Sequence, residues 1–200
     1  MNHVFHVADY NSPLPEIIYL DTGFIYEIYG DNPQNKFTDD CYNFTNRLAA
    51  NGSIMVVSSL TFHELDHLVL RGIYQKHSRG IGWMELLKQT KEYMSEVAAE
   101  INRMTNLLHS NPNIAVIPVN MDEKFTELRR KAMFDYSLDV TDAGHVVTCL
   151  QNAVNSYAVI DIDYQNIPNV NIFTPNQNYP RLRNTPKQLI APPELTETAD

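Results

Sequence analysis

The alternation of short apolar runs with longer segments of helical period is the feature that most constrains this fold. The runs that predict strands are 17–21, 54–57, 114–119, 157–161 and 170–173. The segments that predict helices are 22–29, 37–50, 60–70, 83–108, 122–136 and 142–154. Uncharged, β-branched strands are typical of a parallel sheet that is covered by helices on both faces. We therefore expect an α/β protein with three α/β/α layers and a central parallel sheet of about four to five strands.

The chain of 200 residues, 44% of them hydrophobic, is long enough for one well-buried core. Residues 1–16 are predicted to be a polar leader, and residues 17–173 the α/β domain. Within that domain, residues 71–110 are expected to form a helical insertion whose long helix over 83–108 packs beside the sheet. Residues 174–200 are rich in proline and poor in apolar periodicity, which predicts an extended tail.

Charge and cysteine content exclude several classes of protein. The formal net charge of -9 argues against a protein that holds nucleic acid by bulk electrostatics, because that mode needs many cationic side chains. Cys41 and Cys149 have no CxxC pairing, so neither a disulfide framework nor a thiolate zinc site is indicated. No basic start leads into an apolar stretch, and no run is long enough to cross a bilayer. We expect a soluble, cytoplasmic protein without a membrane partner.

Acidic residues follow the predicted strands. Asp21 ends the first strand, and Glu64 lies in the first turn of the helix after the second strand. Asp142 heads the last predicted helix, and Asp161 and Asp163 follow the fourth strand. The carboxyl ends of parallel strands meet at the edge where open α/β sheets bind ligands. We therefore expect these acids to converge.

Each acid also has a local explanation. Asp21 is a suitable N-cap for the helix that begins at residue 22. Thr61-x-x-Glu64 matches a capping box, and both Asp139 and Asp142 would complement the positive end of a helix dipole. Asp is common in turns after strands. Taken one at a time, the local explanations are the stronger ones.

Convergence changes this balance. Several carboxylates within a few ångströms repel one another and lose hydration, which raises their pKa values unless a cation neutralises them. Oxygen ligands without His or Cys suit Mg²⁺ or Mn²⁺. The predicted edge is therefore a candidate divalent-metal site.

The ordered set of motifs resembles the PIN-domain ribonucleases of the VapC toxin kind. The similarity spans roughly residues 17–173, in the motifs Leu20-Asp21-Thr22, Ser59-Leu60-Thr61-Phe62-His63-Glu64-Leu65, Asp142-Ala143-Gly144-His145 and Val159-Ile160-Asp161-Ile162-Asp163. The resemblance implies a metal-dependent endoribonuclease that leaves 5′-phosphate and 3′-hydroxyl ends. It also implies an antitoxin protein as partner and homodimerisation.

The resemblance implies four acids that bind metal and carry catalysis: Asp21, Glu64, Asp142 and Asp163. Asp161 stands where the family usually has Thr or Ser, two residues before the last acid. It therefore adds a carboxylate that is a further candidate metal ligand, and the division of roles between Asp161 and Asp163 stays open. Thr22 and Asp139 are expected to orient the carboxylates or the attacking water. His145 belongs to the same motif as Asp142, but a role in helix packing explains it as well as a role in the site does.

Residues 71–79 form the most cationic window of the chain and contain no acid. We expect Arg71, Lys76 and Arg79 to contact RNA phosphates without reading sequence, and Tyr74 and Trp83 to stack on unpaired bases. Arg129 and Arg130, on the helix predicted over 122–136, are further candidates for phosphate contacts. A solvated basic loop with ordinary core aromatics explains the same residues equally well.

A competing interpretation comes from His63-Glu64-Leu65-Asp66-His67, which matches the H-E-x-x-H zinc motif of metallopeptidases. Asp66 places a charge where zinc peptidases usually have none, and the motif explains one pentapeptide rather than four separated acids. A third interpretation is a PIN-like module that binds a protein partner and has no catalytic activity.

Overall fold

The structure is a computed structural model, and it describes residues 2–30, 36–179 and 188–192. Its sheet has six strands: β1 His3–His6, β2 Ile17–Leu20, β3 Ile54–Ser58, β4 Ile114–Ile117, β5 Ser156–Ala158 and β6 Asn171–Thr174. All neighbours pair in parallel, in the order β1-β6-β5-β2-β3-β4.

The helices are α1 Thr22–Tyr29, α2 Thr38–Ala50, α3 Ser59–His77, α4 Trp83–Gln89, α5 Met94–Ser110, α6 Glu123–Tyr136 and α7 Val140–Gln151. A short 3-10 helix spans Asp163–Asn166. In the described ranges, no helix has both the length and the apolar character that a membrane span requires.

Alternate residues of each strand pack into different halves of the core. In β2, Ile18 and Leu20 belong to a buried cluster with residues of α1, α2, α3 and α5, whereas Tyr19 belongs to a second cluster with residues of α6 and α7. Successive side chains of a strand point to opposite faces, so the sheet is covered on both sides. This confirms the predicted three-layer α/β/α fold.

The predicted leader contains the edge strand β1. Val4 pairs with Ile172 of β6, and Phe5 pairs with Phe173, whose ring it stacks on with centroids 4.9 Å apart. The leader boundary at residue 16 is therefore corrected, and the sheet has six strands instead of four to five. Four residues beside polar neighbours are too few to show the period of a strand, so no sequence pattern indicates β1.

Part of the predicted tail also contacts the domain. The Asn155 side-chain amide donates hydrogen bonds to the carbonyls of Ile190 and Ala191, at 3.0 and 2.8 Å. Residues 180–187 and 193–200 of that predicted tail lie outside the described residues. The sheet domain therefore extends its contacts beyond residue 173.

The helical insertion differs from its prediction in two ways. The single helix expected over 83–108 is divided into α4 and α5, because Thr90 adopts an extended conformation with φ -144° and ψ 149°. The Thr90 carbonyl accepts a hydrogen bond from the Tyr74 hydroxyl at 3.1 Å, which fixes the break against α3. In addition, α3 continues unbroken to His77, so the predicted start at residue 71 falls inside a helix.

The strand order reverses direction between β2 and β5. The chain moves from β2 to β3 and β4 on one side, then crosses to β5 and β6 on the other side. Loops that leave neighbouring strands in opposite directions open a crevice at their carboxyl ends. Asp21 follows β2 directly, at this switch point.

Candidate active site

A cavity of about 890 Å³ opens at the switch point. It is lined by five acids, by Thr22, and by four side chains with basic groups; the acids are Asp21, Glu64, Asp139, Asp142 and Asp161, and the basic side chains are His63, His67, Arg71 and Arg129. The acids come from four separated segments of the chain. The convergence that the sequence predicted therefore occurs for five of the six acids considered there.

Asp21 has a structural role and also lines the cavity. Its Oδ2 accepts a hydrogen bond from the Gly23 amide at 3.1 Å and so caps α1, as its local explanation required. Its Oδ1 accepts a hydrogen bond from the Tyr164 hydroxyl at 2.8 Å. Burial raises the pKa of Asp21, and the charge of Glu64 raises it further against the opposing effects of His145 and the Tyr164 hydrogen bond.

Asp142 lies beside Asp21 and shares its tyrosine. The Tyr164 hydroxyl is 3.4 Å from Oδ1 of Asp142, so one phenol lies within hydrogen-bonding range of both carboxyl groups. Burial and then the like charges of Asp21 and Asp139 raise the pKa of Asp142 to about 7. This carboxyl group therefore keeps its proton up to about pH 7, where it is half protonated, unless a positive charge is placed beside it.

Glu64 does not form the predicted capping box. Helix α3 begins at Ser59, and the backbone amide of its cap residue, Ser58, donates to Oγ1 of Thr61 at 3.3 Å. Oε2 of Glu64 instead accepts a hydrogen bond from the Thr22 hydroxyl and lies 2.7 Å from Nε2 of His145. The local explanation for Glu64 is therefore wrong, and the predicted contact of Thr22 with a cavity carboxylate is present.

His145 is a residue of this site that sequence reasoning did not assign. The imidazole is fully buried, and its Nδ1 hydrogen-bonds with the Tyr19 hydroxyl and with Oγ of Ser58. Burial lowers the pKa of His145, but the hydrogen bond to Glu64 and the nearby carboxylates outweigh burial and raise it. The available signal was its position three residues after Asp142, on the same side of α7.

The acids after β5 divide between two places. Asp161 lines the cavity, whereas Asp163 is exposed at the start of the 3-10 helix and does not line it. The Asp163 amide donates to Oδ1 of Asp161 at 3.1 Å, because the chain turns after β5 ends at Ala158. The strand expected to reach residue 161 is therefore shorter. The catalytic and metal-binding roles of Asp163 and the metal-binding role of Asp161 stay predictions.

Asp139 caps α7 and also lines the cavity. Its Oδ1 accepts hydrogen bonds from the amides of Thr141 and Asp142, both at 2.8 Å. It thereby fixes the backbone from which the Asp142 side chain projects. This contact agrees with the local explanation for Asp139 and places it where an orienting role is available.

The three candidate phosphate contacts within residues 71–79 lie in different surroundings. Arg71 lines the cavity. Nζ of Lys76 lies 3.4 Å from Oε1 of Glu96 on α5, and Arg79 lies in the turn after α3 and does not line the cavity. The cationic window is therefore divided, and only its first arginine reaches the acids' cavity.

The two histidines of the zinc motif both line the cavity. His63 and His67 are exposed on α3, and the His67 ring meets the edge of Trp83 with centroids 5.7 Å apart. Glu64, which a metallopeptidase would use as a base, is occupied by Thr22 and His145. Two imidazoles of the zinc motif therefore face the cavity, but its carboxylate already accepts hydrogen bonds from two other side chains. This argues against Glu64 as the base of a metallopeptidase.

In the part of the chain that the structure describes, no three Asp, Glu, His or Cys side chains are grouped closely enough to hold a metal ion. The donor chemistry nevertheless fits a hard divalent cation, because the acids supply oxygen ligands and a cation would offset the burial and the repulsion that raise the pKa of Asp142.

Comparisons with known proteins identify the fold. No protein-family model matches the chain, and no curated protein matches it. The structure is similar to a chain of VapBC2 from Rickettsia felis, which was solved bound to a DNA fragment from the VapBC2 promoter. The TM-score is 0.50, and the two sequences are 17% identical over 79% of this chain and 98% of that chain. The chain has a PIN-like, VapC-type fold. Mycobacterium tuberculosis VapC20, a Sarcin-Ricin loop cleaving toxin, aligns with a TM-score of 0.49 and 12% identity over 74% of this chain and 92% of that chain. At such identities the similarity concerns the fold, and function must be argued from the cavity.

Proposed function

We propose that this protein is a divalent-metal-dependent endoribonuclease that hydrolyses RNA phosphodiester bonds, and that it is the toxin of a toxin-antitoxin pair. The observation that carries the proposal is the convergence of Asp21, Glu64 and Asp142 on one cavity at the switch point of a PIN-like sheet. A purely structural role does not explain why three partly buried carboxyl groups from separate segments lie together.

Asp21 and Asp142, which share the Tyr164 hydroxyl, are the pair that would hold Mg²⁺ or Mn²⁺, and Glu64 and Asp161 line the same cavity. A bound divalent cation supplies a water of lowered pKa and stabilises negative charge on the attacking and leaving oxygens of the phosphodiester.

The other side chains hold the carboxyl groups in place. Thr22 and His145 bind the same oxygen of Glu64, so one oxygen of that carboxylate stays available to the cavity. Tyr164 holds Asp21 and Asp142 through one hydroxyl. Asp139 fixes the first turn of α7, which carries Asp142. These contacts reduce the reorganisation that the site needs before it acts on substrate.

A cleavage assay tests the proposal. We expect the protein to cut single-stranded or structured RNA with Mg²⁺ or Mn²⁺, to leave 5′-phosphate ends, and to lose activity with EDTA. Asp21→Asn and Asp142→Asn should each lower the rate at least about 10²-fold, because each removes charge from the metal-binding edge. Asp39→Asn is the matched control: it makes the same change on the exposed first turn of α2, and it should leave the rate unchanged.

The outcomes separate the proposal from its alternatives. Peptide hydrolysis that requires Zn²⁺ and is lost in His67→Ala would establish the metallopeptidase instead. RNA that stays intact with every divalent metal, together with a tightly bound protein partner, would establish a binding module without catalytic activity.

The toxin role has its own test in cells. Expression of the chain alone should arrest growth, expression of Asp142→Asn should not, and co-expression of a neighbouring small gene should relieve the arrest. Growth that is unaffected by a variant active on RNA in vitro would contradict the toxin role and leave the ribonuclease in place. Sedimentation of the purified protein tests the proposed homodimer separately.

A further inference from the structure

Two arginines line the cavity, Arg71 of α3 and Arg129 of α6, and the proposed reaction gives Arg129 no role. It lines the cavity together with Asp139 and Asp142. Its Nε is buried and has no hydrogen-bond partner among the described residues. An unpaired donor in a buried position costs free energy, so a retained one requires an explanation.

The surroundings of Arg129 hold its side chain without neutralising its charge. The guanidinium carbon lies 6.0 Å from the centre of the Phe125 ring, one turn earlier on α6. Gly144 of α7 lies beside the arginine stem: a Cβ built on that glycine would be 3.8 Å from Cδ of Arg129. Within the described residues, no carboxylate forms an ion pair with this guanidinium. Its donors can therefore bind a ligand without breaking a protein ion pair.

Helix α3 contributes a second basic wall to the same cavity. His63, His67 and Arg71 follow one another at intervals of four residues, which places them along one face of the helix. The cavity therefore combines a floor of carboxyl groups with basic groups from α3 and α6. This arrangement suits a polyanion such as RNA. If one phosphate of the strand lies over the acids, its neighbouring phosphates lie beside the basic side chains of α3 and α6.

We propose that Arg129 binds a backbone phosphate of the RNA next to the phosphate that is cut, and thereby positions the strand over Asp142. This inference rests on the proposed ribonuclease function and names the contact by which that site holds its substrate. The planar guanidinium matches two oxygens of a phosphate and carries no base recognition. Arg129 is a positioning residue, and it acts on the binding of substrate.

RNA binding without cleavage is the measurement that tests this contact. Fluorescence anisotropy of a labelled single-stranded RNA in EDTA compares the full-length wild-type protein with Arg129→Gln and Arg130→Gln between about 50 and 200 mM salt. Arg130 is the matched control, because it is the next residue of α6, is exposed, and does not line the cavity.

Arg129→Gln should weaken RNA binding by about 10- to 100-fold, which is the usual loss for a charge-assisted pair of hydrogen bonds. The slope of log affinity against log salt should fall by about 0.7, the value for one phosphate contact on a single strand. Arg130→Gln should change affinity less than about threefold, since an exposed charge is screened. In cleavage assays with Mg²⁺, Arg129→Gln should raise KM more than it lowers kcat.

Arg129→Lys provides a second variant that keeps the charge. It should retain the salt slope of the wild type, because the positive charge is kept. It should bind RNA more weakly, because an ammonium group cannot donate two parallel hydrogen bonds to a phosphate as a guanidinium does. Thermal melts of each variant identify any loss of folding, and the lysine variant decides the matter if the glutamine variant does not fold.

Unchanged RNA affinity and salt slope in Arg129→Gln would overturn the inference. An equal loss of RNA affinity in Arg129→Gln and Arg130→Gln would also overturn it. Absence of RNA binding by the wild-type protein would also overturn it. Wild-type protein that binds RNA through Arg129 but never cuts it would contradict the proposed ribonuclease and leave this contact standing. RNA cleavage with the same kcat and KM in Arg129→Gln as in the wild type would contradict this contact and leave the proposed ribonuclease in place.

Discussion

Asp142→Asn should stabilise the folded protein at pH 8 while it abolishes the proposed activity. The pKa of Asp142 is raised from 3.8 to about 7, first by burial and then by the charges of Asp21 and Asp139. The unfolded chain therefore releases this proton near pH 4, whereas the folded chain keeps it until about pH 7. Because the folded state binds more protons across this window, stability falls as pH rises from about 4 to 7 and is then constant.

The size of the effect follows from the same pKa. The full difference corresponds to about 4 kcal/mol, and partial exposure of the Asp142 side chain to solvent reduces the expected value to about 2 kcal/mol. Loss of a negative charge from the first turn of α7 costs about 0.3–1 kcal/mol in the opposite direction. The net gain at pH 8 should thus be about 1–2 kcal/mol, or about 2–8 °C in melting temperature for a chain of this size.

Urea denaturation followed by circular dichroism at pH 4 and pH 8 measures this difference. At pH 4 we expect Asp142→Asn to exceed the wild type by less than about 1 kcal/mol, because Asp142 is protonated in the folded state and about half ionised in the unfolded chain. At pH 8 the difference should reach its full size. Saturating Mg²⁺ should raise the stability of the wild type at pH 8 more than that of the variant, because binding to the folded state stabilises it.

Asp39→Asn again serves as the control, and it should lower stability slightly at pH 8 through the dipole of α2. Asp142→Asn protein that is less stable than the wild type at pH 8, or equally altered at both pH values, would show that burial and the neighbouring acids do not make ionised Asp142 destabilising in the folded state.

Three further substitutions test other contacts. Tyr164→Phe removes the hydroxyl whose hydrogen bond lowers the pKa of Asp21, so the pH-rate profile of RNA cleavage should move to higher pH; an unmoved profile would contradict the contact. His145→Ala removes a fully buried imidazole that binds the α3 carboxylate, and denaturation should show a loss of about 2–4 kcal/mol; a loss below about 1 kcal/mol would mean that the pair adds little. Phe5→Ala should cost about 3 kcal/mol, because the ring is fully buried against Phe173; stability equal to the wild type would mean that β1 is dispensable.

The fold class was predictable because the strands of a covered parallel sheet carry a continuous apolar signal. Residues 54–57 show it clearly: Met55, Val56 and Val57 are buried although they face different halves of the core. Strand β1 gave no such signal, because two apolar residues between histidines become a strand only when β6 is there to pair with them. Thr90 likewise breaks a helix through a contact with Tyr74 that lies sixteen residues away.

Local sequence patterns show which acids follow strands, and this was enough to predict the convergence of Asp21, Glu64 and Asp142. A parallel sheet brings the ends of its strands to one edge whatever the details of packing. Tertiary packing alone sets three other facts: Asp161 enters the cavity in place of Asp163, His145 binds Glu64, and Nε of Arg129 has no hydrogen-bond partner among the described residues. Those facts depend on how side chains from distant segments meet. Local patterns record the period of an element, whereas the contacts of a buried polar group are set by the elements that pack around it.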